Sequence, residues 1–263
     1  MADSHVGDSA MVQVAVLGAG FMGSTHAKAY AAMPDVAVAA IYAPSPDRGE
    51  PLATEIGSRW TDDLQAVLAD PSIEAVDICL PTPQHREVAE AALAAGATLV
   101  NDVSGFRFVP ELAGVVASAG AHCCLAHMRG EPRTMQSEAR YDDVVGEVKR
   151  FLEERLAFAV AEGIPEDHIW LDPGIGFGKT VEHNLELLRR LDEVVAIGRP
   201  VVIGTSRKSF LGKLAGGRGE DERLPGTIAT NVIALERGAR VFRVHDVRPV
   251  ADALAIAAAT VGP

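Results

Sequence analysis

The chain has 263 residues, 48% of them apolar and 5% aromatic, with a formal charge of −12. That length can bury the core of one large α/β domain or of two small ones. The acidic balance repels phosphate backbones and argues against nucleic acid as a partner, while a local basic pocket would still admit anionic small molecules. No apolar run reaches the roughly 18 residues of a membrane helix, and the start has no secretory apolar stretch. Cys79, Cys123 and Cys124 lack metal-ligand spacing, so they read as packing residues of a reduced, cytoplasmic protein.

In chain order, Met1–Ala10 reads as a loose tail, residues 11–97 as a nucleotide-binding half and residues 98–263 as a second half. Strands are expected at Val12–Leu17, Val36–Tyr42, Ala75–Leu80, Thr98–Val103, His122–Ala126, Ile169–Asp172, Val201–Gly204 and Val241–Val244, with a weak ninth near Trp60. Helical periodicity lies between nearly all of them: Met22–Met33, Leu64–Leu68, Glu87–Ala95, Val144–Glu162, Val181–Leu191, Ile228–Arg237 and Val250–Ala259. Alternating strands and helices imply parallel pairing with right-handed crossovers. Arg129–Tyr141 and Gly216–Pro225 read as exposed loops.

The first strand runs into Gly18-Ala19-Gly20-Phe21-Met22-Gly23 and then a helix. In that context Gly18 serves the tight turn, Gly20 the approach of a pyrophosphate, and Gly23 the packing of helix on strand. The acidic residue expected at the end of the second strand is Ala43. Ser45 and Arg48 could hold a 2′-phosphate, or be ordinary turn residues. Gly18 to Tyr30, together with Asp77-Ile-Cys-Leu-Pro-Thr-Pro-Gln-His85, resembles the N-terminal domain of the glucose–fructose oxidoreductase and inositol dehydrogenase family over roughly Val12–Ala97. That resemblance implies NAD(P). It departs at Val103, where the family places its catalytic lysine, and the family's substrate domain has no counterpart, so hydride transfer is not expected.

From Thr98 onward five strands end in polar residues: Asn101-Asp102, His127-Met128-Arg129, Asp172-Pro173-Gly174, Thr205 to Ser209, and Arg243 with His245 and Asp246. Barrel enzymes assemble active sites from such carboxyl ends. Each residue singly could be a cap or a turn former, but the set points to a site for a flat heterocycle carrying an anion. Asp172 would accept from an amino-pyrimidine edge, Asn101 would donate and accept, Lys208 would lie near a ring carbonyl, and Arg243 with His245 would hold phosphate oxygens. Asp172 to Thr180 lacks the first glycine of a P-loop, because Pro173 stands there. Its glycines would instead let backbone approach a flat ligand.

These motifs, with Gly226-Thr-Ile-Ala229, follow the order of dihydropteroate synthases from about Glu87 onward. The resemblance implies a transferase of folate biosynthesis joining p-aminobenzoate to a dihydropterin pyrophosphate, with magnesium as cofactor and a homodimer left open. It implies that Asn101, Met128, Asp172, Lys208 and Ser209 bind substrate, and that Asp172, Lys208, Arg243 and His245 carry catalysis. The family's first three barrel strands are not recognisable. Its Asn-x-Thr-x-Asp-Ser-Phe loop, which contacts magnesium, is absent, as is its Gly-Gly-Glu-Ser-Thr-Arg-Pro loop. Its Ser-x-Asp-Thr carboxylate falls near Thr82. The expected fold is therefore α/β, a Rossmann-like half joined within Glu87–Ala97 to the later strands of a TIM (β/α)8 barrel and sharing a continuous sheet. The alternative is one hybrid eight-stranded barrel. Three functions stay open: an impaired transferase, a non-catalytic chimera that binds pterin, and an NAD(P)-dependent oxidoreductase.

Overall fold

The computed structural model describes residues 11–131 and 134–261. The expected tail, Met1–Ala10, lies outside the described residues, as do Pro132 and Arg133 of the Arg129–Tyr141 loop. The chain divides into two compact units, residues 1–97 and 98–263.

In unit 1, β1 (Val12–Leu17), α1 (Phe21–Ala31), β2 (Val36–Tyr42), α2 (Pro46–Ile56), β3 (Arg59–Thr61), α3 (Leu64–Leu68), β4 (Ala75–Ile78) and α4 (His85–Ala94) alternate. The parallel sheet has the order β3-β2-β1-β4, with β1 placed between β2 and β4 as in a doubly wound fold. Strand β1 is apolar throughout its carboxyl half because both its faces are buried. Ala15 and Leu17 pack on Val67, Leu80 and Val88, and Val16 packs on Ala27, Ile41 and Leu52. The anticipated ninth strand is β3. Helix α2 has no counterpart among the expected helices. It starts on Pro46, which presets its first turn, and Gly49 lets Trp60 lie against it.

In unit 2, β5 (Leu99–Asp102), α5 (Leu112–Ser118), β6 (His122–Ala126), α6 (Val144–Ala161), β7 (Ile169–Asp172), α7 (Val181–Arg189), α8 (Leu191–Val195), β8 (Val202–Ile203), α9 (Ser209–Leu214), α10 (Leu224–Glu236), β9 (Val241–Phe242) and α11 (Val247–Val261) follow. Strands β5-β6-β7 form one parallel sheet and β8-β9 another, with an isolated bridge between Leu171 and Val201. Within each sheet the strands stand in chain order, as in a barrel rather than in a doubly wound sheet. Cys123 and Cys124 are buried in β6, and Cys79 is part-buried in unit 1. Among the described residues no helix is long and apolar enough to cross a membrane.

Two strands stop earlier than expected for a visible reason. Strand β5 ends at Asp102 because that carboxylate folds back to accept from Ser104 N (2.7 Å), Ser104 Oγ (2.7 Å) and Phe106 N (3.1 Å). Strand β4 ends at Ile78, three residues before Pro81 opens a short 3-10 turn.

The ends of β6 and β7 are pinned by a buried lysine. Lys179 Nζ donates to Gly174 O (2.9 Å) and Phe177 O (3.1 Å) and lies 2.9 Å from His127 Nδ1. Gly174, at φ +66°, has no room for a side chain, since a Cβ would run into the His127 carbonyl. Burial holds His127 down at about 2, helped by the charges of Lys179 and Arg107, so its neutral ring accepts from Lys179. Burial likewise brings Lys179 down to about 7, against the upward pull of Asp172.

A folded-state value near 7, below the ordinary 10.5 of lysine, means that the unfolded chain holds this proton more tightly. The destabilising contribution is then full below pH about 7 and is relieved as pH rises toward about 10.5. Lys179→Met leaves three acceptors without their donor and is expected to cost about 1–3 kcal/mol at alkaline pH. The difference from wild type should shrink on acidification. Denaturant melts of both proteins across this pH range check it, and a pH-independent difference would contradict it.

Candidate functional site

The carboxyl ends of β5, β7 and β9 converge on one buried carboxylate. Asp172, 1% exposed, closes β7. Its Oδ1 accepts from Gly174 N at 2.7 Å, which bends the chain back over the strand end. Its Oδ2 accepts from Arg243 Nη2 at 2.7 Å, and Arg243 Nη1 donates to Asn101 Oδ1 at 3.0 Å. A buried carboxylate needs such partners because desolvation otherwise costs several kcal/mol. Arg243, whose side chain is 46% exposed, reaches from the solvent side across both residues.

Lys208 flanks this trio at the N-terminus of α9, its Nζ 4.2 Å from the centroid of the Phe177 ring. Burial lowers it from the usual lysine range, the Arg243 charge presses further in that direction, and Asp172 opposes both. Gly176, at φ +84°, lets the backbone pass the Lys208 stem, while Gly174 abuts His127 and Gly178 abuts Arg129. These glycines therefore accommodate neighbouring protein groups, where the sequence suggested room for a flat ligand.

His245 stands on Ser206. Its backbone N–H donates to Ser206 Oγ (3.1 Å), and the hydroxyl lies 2.8 Å from Nδ1. One proton arrangement satisfies both contacts: the hydroxyl donates to Nδ1, leaving Nε2–H as a donor. Burial lowers His245 below its ordinary value, and Arg207 adds to this, so the ring is neutral at neutral pH. Arg207, at φ +55°, is held by two hydrogen bonds to Asp246, at 3.0 and 2.8 Å. Beneath, Thr205 Oγ1 accepts from Thr230 Oγ1 (2.8 Å) and Asn231 Nδ2 (3.1 Å), tying β8 to α10.

Of the residues expected from sequence, Asn101, Asp172 and Arg243 touch, and Lys208 and His245 flank them on the β8 and β9 ends. Met128 is buried at the end of β6, its carbonyl accepting from Arg107 Nη2 at 2.8 Å. Ser209 is exposed as the first residue of α9. Lys179 and Ser206, the residues that set the others, were within reach of sequence reasoning only as members of longer motifs. The signal for Lys179 was an unpaired lysine inside a glycine-rich strand end. Two clefts, of about 260 and about 790 Å3, open instead beside Arg129, Tyr141, Glu147 and Arg150. His127 and Met128 line the smaller one, whereas Asn101, Asp172, Lys208, Arg243 and His245 line neither.

Magnesium does not fit the donor set of unit 2 as built. It takes several oxygen ligands, yet the strand-end carboxylates Asp102, Asp172 and Asp246 are each committed to protein donors. In unit 1, Gly18 (φ +123°) crowds the Cys79 carbonyl and Gly23 crowds Gly18. Gly20, the uncapped residue before α1, faces open space. That arrangement suits a pyrophosphate. Ala43 is buried, and its carbonyl accepts from Trp60 Nε1, so it offers a ribose no side-chain acceptor. Ser45 and Arg48 are exposed at the start of α2.

Comparison with known proteins gives two overlapping family matches. Residues 12–102 match the family described as oxidoreductase family, NAD-binding Rossmann fold, and residues 59–245 match the family described as pterin binding enzyme. A dihydropteroate synthase of Synechocystis is 45% identical over 66% of this chain and 60% of its own length. One of Neisseria meningitidis serogroup C is 41% identical over 73% of this chain and 68% of its own. The chain thus spans about 60% of the length of the Synechocystis relative. The crystal structure of dihydropteroate synthase from Thermus thermophilus in complex with 6HMPPP superposes with a TM-score of 0.69 at 38% identity, covering 96% of this chain and 94% of that one. Its complex with 4-aminobenzoate gives 0.68 at 36% identity, covering 97% and 95%. The chain belongs to the pterin binding enzyme family, with a Rossmann-like NAD-binding domain matched over its amino-terminal part.

Proposed function

We propose that this protein is a folate-biosynthesis transferase that joins p-aminobenzoate to 6-hydroxymethyl-7,8-dihydropterin pyrophosphate, with reduced turnover. The observation that carries the reading is the buried Asp172 carboxylate, bridged through Arg243 to Asn101 and flanked by Lys208. The relatives named dihydropteroate synthase, and the solved complexes with 6HMPPP and 4-aminobenzoate, support the substrate classes.

In this reading the aminopyrimidine edge of the pterin donates to Asp172 Oδ2, the atom that Arg243 now occupies. Arg243 gives up that contact, swings toward solvent and lies over the ring face, where its charge meets the departing pyrophosphate. His245 presents Nε2–H to a phosphate oxygen, and Lys208 adds a cation beside the ring carbonyl. Charge placed where the pyrophosphate leaves loosens the pterin C–O bond, and the amine of p-aminobenzoate takes its place. Reduced turnover follows from the absent covering loops and from Thr82 standing where relatives carry a carboxylate. Residues 11–97 and 98–263 act as a nucleotide-binding-type half and a pterin-site half. The competing reading of the same pocket, pterin binding without transfer, is separated from this one by the second addition below.

The test is an isothermal titration of the full chain with dihydropterin pyrophosphate, followed by p-aminobenzoate in the same cell. Binding, then heat of turnover with dihydropteroate formed, is expected. Asp172→Asn removes a charged hydrogen-bond acceptor and should weaken pterin binding by about 1.5–3 kcal/mol, roughly 10–100-fold. Unchanged affinity in that variant would remove Asp172 from the site, and absence of binding by wild type at saturating ligand would sink the transferase reading.

A second reading concerns unit 1: binding of NAD(P) without hydride transfer. It is favoured by the open backbone at Gly20 before α1. Because a side chain at Gly20 meets no neighbour, Gly20→Asp should leave the fold intact and place a like charge against the pyrophosphate. Nicotinamide fluorescence should rise on titrating wild type with NADPH and stay flat with Gly20→Asp. Equal signals from both would show that the turn does not hold the dinucleotide.

A further inference from the structure

Unit 1 contains a cluster that neither half's chemistry uses. His26 comes from the second turn of α1. Asp77 lies in β4 and Cys79 just beyond it, where its N–H still donates to Leu17 O at 2.9 Å. Residues two apart on an extended chain share a face, so Asp77 and Cys79 both point toward α1. His26 Nδ1 lies 2.7 Å from Asp77 Oδ2. Cys79 Sγ lies 3.4 Å from that nitrogen and 3.5 Å from Asp77 Oδ1. Tyr30, one turn along α1, donates to Asp77 Oδ2 at 3.0 Å.

The geometry points to a site for a single divalent transition-metal ion of the zinc class, held by His26 Nδ1, an Asp77 carboxylate oxygen and Cys79 Sγ, with a water as fourth ligand. One ligand atom from each residue lies within 4.8 Å of the other two. Zinc bond lengths of about 2.0–2.3 Å at tetrahedral angles put ligand atoms roughly 3.3–3.6 Å apart. Both sulfur separations already lie in or next to that range. Only the His26–Asp77 pair must open, by roughly half an ångström, exchanging a hydrogen bond for two metal bonds. A donor set of one nitrogen, one oxygen and one sulfur selects zinc or its neighbours over magnesium or calcium. His26 and Asp77 are part-exposed, 38% and 21%, which leaves an entry path and a place for water.

The charges around the cluster agree. The hydrogen bond to Asp77 holds His26 above its ordinary value despite burial. Burial would raise Asp77, but its contacts with His26 bring it below the usual carboxylate range. Burial and then the Asp77 charge push the Cys79 thiol up to about 12. Without metal the cluster is therefore an ion pair beside a protonated thiol. A bound dication takes the place of the imidazolium proton and stabilises the thiolate, so binding releases protons and weakens on acidification. The ion would tie α1 to β4 directly under the glycine turn, where Gly23 approaches the Cys79 Cβ.

Chelator-treated full-length protein titrated with cobalt(II) tests the proposal. One equivalent should bring up a thiolate-to-cobalt charge-transfer band with the visible bands of four-coordinate cobalt, and zinc should bleach both. Cys79→Ser should abolish the charge-transfer band, whereas Cys124→Ser, altering a thiol in unit 2, should leave it. His26→Gln should weaken cobalt binding, and Tyr30→Phe, which loosens the carboxylate, should do so by roughly 10–100-fold. Wild-type protein that shows no charge-transfer band overturns the proposal without recourse to any variant. So does a band that survives Cys79→Ser. Either result leaves the cluster a hydrogen-bonded triad only.

Discussion

The pterin-site half depends on one constraint, a carboxylate buried at a strand end. Asp172, at 1% exposure, requires an N–H from the turn that follows it and a guanidinium from across the sheet. The first requirement bends Pro173-Gly174 back and forces Gly174 to a positive φ. The second draws Arg243 in from β9 and, through it, Asn101 from β5. Lys179 then fills the space behind the turn and fastens it to β6. Four strands, β5, β6, β7 and β9, are thereby joined by polar contacts at the end where backbone pairing stops. Hydrophobic packing sets the strands side by side, and this network sets their ends.

The same constraint gives the site its ligand preference. A buried carboxylate held by a half-exposed cation is a lock whose occupant a ligand can reach. Any ligand that displaces Arg243 must bring its own donors to Oδ2, since leaving that oxygen unpaired costs more than the contact is worth. Flat donors such as an amino-pyrimidine meet that requirement and apolar rings do not. In the proposed transferase, ground-state selectivity would reside in that one oxygen atom, and the cations around it would serve an anionic leaving group.

How much was legible from sequence follows from the same physics. The boundaries of β1, β2, β6 and β7 were read without error because each is a short, mainly apolar run of four to seven residues with at most one polar residue. The helices α2, α5 and α9 were missed because glycine or proline interrupts them, and α8 because five residues are too few to show a helical period. That polar residues gather at the strand ends of residues 98–263 was legible, because Asn101, Asp172, Lys208, Arg243 and His245 each close or follow a strand. The Arg243–Asp172 pairing was not. Both residues were assigned to ligand, and only coordinates reveal that 71 residues of chain bring them within 2.7 Å. Lys179 escaped for a related reason: glycines around a lysine suggest phosphate, and burial is invisible in one sequence. The glycines of that strand end were misread likewise, as space for a ligand where they make space for His127 and Lys208.

The overlap of the two family matches, residues 59–102, covers β3, α3, β4, α4 and β5, and both parental patterns hold through it. Helix α4 shows why such a junction folds. Val88, Ala89, Ala92 and Leu93 form one buried apolar stripe, opposite His85, Arg86, Glu87 and Glu90. A stripe of small aliphatic residues packs on any parallel sheet with a right-handed crossover, so neither parent's strands are needed specifically. Sheet order is less permissive. β1 between β2 and β4 follows from the dinucleotide-fold strands, and chain-order pairing from β5 onward follows from the barrel strands. The consequence for the proposed transferase is asymmetric. In that proposal, contacts to the ring in its ground state would come from Asp172, Asn101 and Lys208. Groups that act on the charge developing in the transition state raise turnover, whereas those that hold substrate and transition state alike do not. In the proposed transferase, Asp172, Asn101 and Lys208 would hold the ring in ground and transition state alike, so turnover would rest on the charges that Arg243 and His245 bring to the leaving group.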